Sequence, residues 1–371
     1  VTHYLLAGGG TAGHVNPLLA VADTIRAAEP DAEILVLGTA EGLEARLVPA
    51  RGYELVVIPK LPFPRRPSMQ ALRFPGRLRQ TVRRVQALIT ERGIDVVVGF
   101  GGYVSTPAYL AAGRAGIPSV IHEANAKPGL ANKLGARSTR YVGVAFPDTP
   151  IRNARFVGMP LRPEIETLDR AGSRAEALAH FGLRDDRPVL LVTGGSLGAR
   201  QINATVHDSA AAITGAGWQI LHITGDKAEI GDPGIADYTL LAYCDRMDLA
   251  LAAADFAVSR AGAGTVSELA ALGIPAVFVP YPVGNGEQRF NAAADVAAGG
   301  ALLVDDAEFL PGWVSSTLLP LLADRAAIAR MGEQAASVGA LDGSARMVAL
   351  IREALADHEA PGQSAGARAT H

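Results

Sequence analysis

The stretch LAGGGTAGHVNP, residues 6–17, follows a short apolar run and decides how the chain is read. Its glycines at 8, 10 and 13 fit G-x-G-x-x-G, the turn that lets a backbone approach a pyrophosphate at a helix N-terminus. A histidine, His14, follows at once. The stretch is therefore either a dinucleotide site or an anion-friendly turn that carries a base.

Working outward, β-branched runs alternate with helical patterns along the chain, the signature of parallel βαβ units. In the first half the expected strands are 3–8, 33–38, 54–59, 95–100, 118–123 and 141–146. A second series follows at 188–195, 218–225, 238–243, 256–262, 275–281 and 300–304. Between them lies VGMPLRPEI (157–165), whose prolines at 160 and 163 discourage continuous structure. The expectation is an α/β protein of two Rossmann-like domains, 1–160 and 161–341. A last helix is expected near 342–358, and a Gly/Ser-rich, disordered tail over 359–371.

Composition narrows the classes. Of 371 residues, 49% are apolar and the formal net charge is −3, which does not point to nucleic acid. The single cysteine, Cys244, excludes a disulfide framework and fits a reducing cytoplasm. We expect no signal peptide, and no apolar run reaches the ~20 residues of a membrane span.

Three glycine turns stand at strand ends: GGGTAG (8–13), GFGGYVS (99–105) and GGSLGAR (194–200). One alone would be a matter of turn geometry. Three across two similar halves favour a ligand in a crevice. A dinucleotide site would also need an acid near the end of the second strand, but ILVLGTAEG (34–42) has Gly38 and Thr39 there, with Glu41 further along. This disfavours the nicotinamide reading. His14, at a helix start whose dipole disfavours imidazolium, is placed to stay neutral and act as a base; a structural hydrogen-bonding role is the alternative.

SRAGAGTVSELAALGIP (259–275) is a second candidate anion site. Thr265 is an N-cap or a phosphate ligand there. Glu268 either accepts sugar or ribose hydroxyls or closes a T-x-x-E capping box with Thr265. In NGEQRFNAA (285–293), Gln288 has the paired donor and acceptor to read hydroxyls. From Lys60 to Arg84 the chain carries eight basic residues and no acid, interleaved with Leu61, Phe63, Met69, Leu72, Phe74 and Leu78. That mixture suits an anionic membrane surface.

Taken together, GGGTAGHVNP, GFGGYVSTPAYLAA, HEANAKPGLANK, GGSLGAR, SRAGAGTVSELAALGIPAVFVP and GNGEQRFNAA resemble the MurG family of glycosyltransferases, in the right order over about residues 3–355. HEAN and GNGEQRFNA resemble its actinobacterial form. The resemblance implies a GT-B architecture, two Rossmann-like domains with parallel sheets separated by a cleft. It also implies inverting transfer of N-acetylglucosamine from UDP-N-acetylglucosamine to the C4 hydroxyl of undecaprenyl-pyrophosphoryl-N-acetylmuramoyl-pentapeptide, turning lipid I into lipid II for the cell wall.

By motif, His14 falls on the general base and Thr11, Ala12 and Gly13 on the adjoining loop near the donor. Asn125, Arg162, Ser196 and Cys244 fall on donor contacts. Ala263, Gly264, Thr265, Val266 and Ser267 fall on the diphosphate-binding helix start, Glu268 on the ribose glutamate and Gln288 on the sugar-reading glutamine. Phe63, Arg65, Arg66, Leu72, Arg73, Phe74 and Arg77 are the expected membrane contacts. The family's location is peripheral, on the cytoplasmic face of the membrane, where other cell-wall synthesis proteins are possible partners. No D-x-D sequence occurs, and no protein-ligated metal or cofactor is expected. Two residues depart from the family pattern: Leu197, where glutamine is usual, and Gly264, where leucine or methionine is usual. Rival readings are another GT-B transferase, an epimerase of the same fold, and a nucleotide-binding module without turnover.

Overall fold

The computed structural model describes residues 1–64, 69–195, 199–226, 228–283 and 286–359. The chain divides into two compact units. One is Val1–Arg162 joined by the chain from Asp342; the other is Pro163–Leu341. The division falls after Arg162 rather than after residue 160, because Met159 and Leu161 are both buried in the first unit.

The first unit is built on seven parallel strands: β1 (His3–Gly8), β2 (Glu33–Gly38), β3 (Glu54–Val57), β4 (Val96–Gly101), β5 (Ser119–Glu123), β6 (Val142–Val144) and β7 (Ala154–Phe156), in the order β3-β2-β1-β4-β5-β6-β7. Along β1, Tyr4 and Leu6 enter one apolar cluster and Leu5 and Ala7 another. That alternation places the sheet between two helical layers. One layer contains the helix Ala12–Ala28, through Val15, Leu18 and Val21, and the last helix Gly343–Glu359, through Met347, Leu350 and Ile351. Burying each of these large side chains contributes about 1.5–3 kcal/mol. The helix Met69–Glu91 packs on the other face through Val82, Val85 and Ile89.

The second unit repeats the plan with six parallel strands: β8 (Val189–Thr193), β9 (Gln219–Ile223), β10 (Tyr238–Leu241), β11 (Phe256–Ser259), β12 (Ala276–Phe278) and β13 (Ala301–Leu303), in the order β10-β9-β8-β11-β12-β13. All twelve expected strands form. No apolar run marks β7, a three-residue edge strand whose side chains are exposed.

Strand order reverses beside β1 in the first unit and beside β8 in the second. Ligands of open α/β sheets sit at such switch points, outside the carboxyl ends of the strands. The glycine turns after β1 and β4 flank the first switch point. The turns after β8 and β11 flank the second.

Candidate active site

In the first unit Gly8 ends β1 and the helix Ala12–Ala28 begins after the extended residue Thr11. His14 therefore lies in the first helical turn, half-buried. Its Nδ1 is 3.1 Å from the carbonyl oxygen of Gly9 and 3.3 Å from Thr11 Oγ1. A carbonyl can only accept, so the Gly9 bond assigns the ring proton to Nδ1 and leaves Nε2 with a lone pair. The ring lies against Gly101, where β4 ends with φ +98°, and a Cβ there would come within 2.9 Å of Nε2. Only glycine meets both demands.

Glu44 completes the loop from beneath. It opens the helix Glu44–Ala50 and is fully buried. Its Oε2 accepts from the Gly10 N–H at 2.8 Å, and its Oε1 accepts from the Thr39 N–H at 2.9 Å and hydroxyl at 2.8 Å. Burial opposes the charge, but the Gly10 and Thr39 donors outweigh it and hold the carboxyl below its usual range. A Cβ on Gly9 would run into this carboxylate, which explains the glycine. A dinucleotide fold uses an acid after its second strand to hold a ribose. Here the acid turns inward and satisfies the loop's own N–H, which also works against a pyrophosphate at that place. Sequence reading missed Glu44 because it looked for an acid at the strand end. The Gly-Thr pair at 38–39, five residues before Glu44, was the available signal.

Across the switch point, β5 runs into the HEAN turn. Glu123 is buried and accepts from the N–H groups of Asn125 (3.0 Å) and Gly129 (2.9 Å) and from Asn132 Nδ2 (2.9 Å). Asn125 is thus positioned by a carboxylate two residues before it. His122 is fully buried and its Nε2 bonds the Gly158 carbonyl at 3.1 Å; burial pushes its pKa down to about 4, so it is neutral. Arg162 is the last residue of the first segment of this unit.

In the second unit the helix Ala263–Ala271 starts after Gly262, which has no side chain to cap it. The first intrahelical bond runs from the Val266 N–H to the Gly262 carbonyl. The N–H groups of Ala263, Gly264 and Thr265 are consequently the orphan donors of a helix N-terminus, suited to an anion. Thr265 and Glu268 both lie inside the helix, so the capping box between them does not form. Val266 is buried and Ser267 half-buried. Just before this turn, Arg260 is nearly buried and donates to the carbonyls of Val279 (3.0 Å) and Pro280 (3.1 Å) and to Asp306. It braces the segment leading to Gln288, a role the sequence reading did not assign.

Gln288 sits in the helix Glu287–Asn291, and its Oε1 accepts from the Tyr281 N–H at 2.8 Å. This bond takes one lone pair of the oxygen and orients the amide, which leaves its NH₂ and the second lone pair to offer to a hydroxyl. Cys244 is half-buried in the loop after β10. It lines a cavity of about 430 Å³ with His180, Phe181, Tyr243 and Arg246. Ser196 and Leu197 lie outside the described residues. Among the described residues no group of three His, Cys, Asp or Glu side chains is arranged to hold a metal ion.

The basic stretch splits. Leu61 is buried and Leu78 packs on the core. Phe63 and Phe74 pack as a tilted pair with ring centroids 5.4 Å apart. Met69 and Leu72 remain 67% and 80% exposed, with Arg73 and Arg77 exposed beside Leu72 in sequence. Arg65 and Arg66 lie outside the described residues. No helix among the described residues is long and apolar enough to cross a membrane.

Two parallel-sheet units with glycine turns at their switch points fit the two-domain GT-B fold, and the family models place the chain among its glycosyltransferases. The chain belongs to glycosyltransferase family 28: the family's N-terminal domain matches residues 4–144 and its C-terminal domain residues 189–347. A relative from Leifsonia xyli subsp. xyli is 68% identical over 355 residues, covering 96% of this chain and 99% of its own length. Another from Clavibacter sepedonicus is 62% identical over 357 residues, covering 96% and 97%. Both are named UDP-N-acetylglucosamine–N-acetylmuramyl-(pentapeptide) pyrophosphoryl-undecaprenol N-acetylglucosamine transferase. The crystal structure of Acinetobacter baumannii MurG is similar with a TM-score of 0.77 at 28% identity, covering 95% of this chain and all of that one.

Proposed function

We propose that this glycosyltransferase moves N-acetylglucosamine from UDP-N-acetylglucosamine to the C4 hydroxyl of N-acetylmuramyl-(pentapeptide) pyrophosphoryl-undecaprenol, lipid I, with inversion. The observation that carries the reading is His14, whose Nδ1 is tied to the Gly9 carbonyl so that Nε2 is free to accept a proton. The hydroxyl oxygen attacks C1 of the α-linked sugar from the face opposite UDP. The C1–O bond to the diphosphate breaks, a β-1,4 bond forms, and His14 Nε2 takes the hydroxyl proton. UDP leaves with the electron pair, and the N–H groups of Ala263, Gly264 and Thr265 meet its growing charge. We read this stabilisation as the protein's own, without a protein-held metal.

On the same reading the second unit takes the donor. Glu268 accepts from ribose hydroxyls, Gln288 donates to the sugar, and Asn125, Arg162, Ser196 and the Cys244 backbone make further donor contacts. The first unit takes the lipid acceptor. The exposed Met69 and Leu72, beside Arg73 and Arg77, support peripheral docking on an anionic bilayer that holds the acceptor.

The test is UDP release from UDP-N-acetylglucosamine with and without a lipid I analogue, for wild type and His14→Ala. Acceptor-dependent release that falls by roughly 10²–10⁴-fold in the variant is the expected result. Release without acceptor would instead indicate an epimerase or hydrolase, and tight binding without release a nucleotide-binding module. Acceptor-dependent release untouched by the substitution would remove His14 as the base.

A further inference from the structure

The peptide that joins Gly9 to Gly10 is hydrogen-bonded at both ends. Its N–H donates to Glu44 Oε2 at 2.8 Å, and its carbonyl accepts from His14 Nδ1 at 3.1 Å. A carboxylate, one amide and an imidazole thus form an unbroken chain. We propose that Glu44 is a positioning residue for His14 that acts through the Gly9–Gly10 peptide, an assignment that rests on His14 being the base.

The physical basis is amide polarisation. A negative charge at the N–H end draws the N–H dipole toward itself and increases electron density on the carbonyl oxygen. The stronger acceptor holds the Nδ1–H, fixes the tautomer and stabilises the imidazolium that forms when Nε2 takes a proton. A carboxylate bonded directly to a catalytic histidine does the same in a Ser-His-Asp triad. Here the effect is transmitted across one peptide. It also offsets the helix dipole, which disfavours a positive charge in the first turn of Ala12–Ala28. Burial makes the arrangement stable: Glu44 is closed off from solvent, Thr39 supplies the remaining donors, and Gly9 leaves the carboxylate room.

The neighbouring ionisable groups are otherwise engaged. On β5, His122 is neutral and bonded to Gly158, and Glu123 is held by Asn125, Gly129 and Asn132. From the helix Ser105–Ala115, Tyr109 donates to Asn132. None of the three hydrogen-bonds the His14 ring. His122 faces the ring electrostatically without bonding it, and among the described residues Glu44 is the carboxylate linked to the ring by hydrogen bonds.

The experiment follows the His14 ring by NMR on ¹⁵N-histidine-labelled protein, alongside the pH profile of acceptor-dependent UDP release, for wild type, Glu44→Gln and Thr39→Val. The neutral ring in wild type is expected to carry its proton on Nδ1. Glu44→Gln should move the imidazole titration and the acid limb of the profile about one pH unit lower, as loss of a nearby unit charge does. It should lower kcat roughly tenfold, a fraction of a general base's worth, with the KM for UDP-N-acetylglucosamine kept. Thr39→Val removes one donor and leaves the charge, so it should move both the other way. A wild-type ring protonated on Nε2 overturns the proposal even if Glu44→Gln fails to fold. A folded Glu44→Gln that loses activity with titration and acid limb unmoved also overturns it, leaving a purely structural role. The NMR readout needs no turnover, so failure of the transferase reading is seen separately, as absent UDP release in wild type.

Discussion

The Tyr109 hydroxyl donates to Asn132 Oδ1 at 2.7 Å, with both residues buried. The Asn132 amide nitrogen in turn reaches the His122 carbonyl at 3.1 Å and Glu123 Oε2 at 2.9 Å, so one asparagine links a helix to the strand that presents the HEAN turn. Tyr109→Phe strands the buried Asn132 oxygen and should cost about 1–3 kcal/mol in urea unfolding. Asn132→Ala strands partners on both sides and should cost more. It should also raise the KM for UDP-N-acetylglucosamine through the Asn125 turn. Equal stability of the two variants would contradict the linkage.

Gly101→Ala tests the seat of the imidazole. The residue has φ +98°, and the added Cβ would press on His14 Nε2 at 2.9 Å. Strained backbone of this kind costs about 1–3 kcal/mol. The loss of kcat should be far larger than that cost suggests, about 10²-fold or more, because the base is displaced. Measuring kcat and thermal unfolding on the same preparation separates the two effects. A normal kcat would mean that the ring does not act from this position.

Asp295 lies buried in the second unit, and neither of its carboxylate oxygens has a hydrogen-bond partner. Burial pushes its pKa up to about 6. The native state therefore holds a proton that the unfolded chain releases near pH 4, so stability falls as pH rises from about 4 to 6. The loss saturates at about 3 kcal/mol above that window. Asp295→Asn should abolish this slope and be the more stable protein at pH 7, as read by urea unfolding across pH. Parallel curves for the two proteins would refute the assignment.

The exposed pair of features at the start of the helix Met69–Glu91 predicts two separable losses on vesicles. Arg73→Glu with Arg77→Glu should weaken sedimentation with anionic vesicles by roughly tenfold or more at low salt, since each basic residue contributes about 1 kcal/mol there. Added salt should shrink that difference. Leu72→Asp should weaken binding in a way that salt does not mimic. Unchanged sedimentation in both variants would argue that this face does not dock on lipid.

Much of this molecule is legible in its sequence because parallel strands buried on both faces are continuous apolar runs. EILVLG and DVVVGF could hardly be anything else. The strand Ala154–Phe156 offered no such run, since an exposed edge strand needs no apolar pattern. His14 was legible because its importance follows from local position, one turn into a helix after glycines. Glu44 was not, because its role depends on the chain returning beneath a loop more than thirty residues earlier. The ambiguity at Thr265 and Glu268 was likewise open to sequence. Helix start is a backbone property, and Gly262, not Thr265, turned out to precede it.

The last helix, Gly343–Glu359, supplies Met347, Leu350 and Ile351 to a core whose first strand is at residue 3. The second unit is therefore an insertion within the first, entered after Arg162 and left before Asp342. During synthesis the first unit begins to emerge before the second yet cannot close its core until the second has passed out of the ribosome. The unit that starts first is the one that finishes last, and a chain cut short at Leu341 leaves the apolar face beside Leu6, Val15 and Leu18 without its cover.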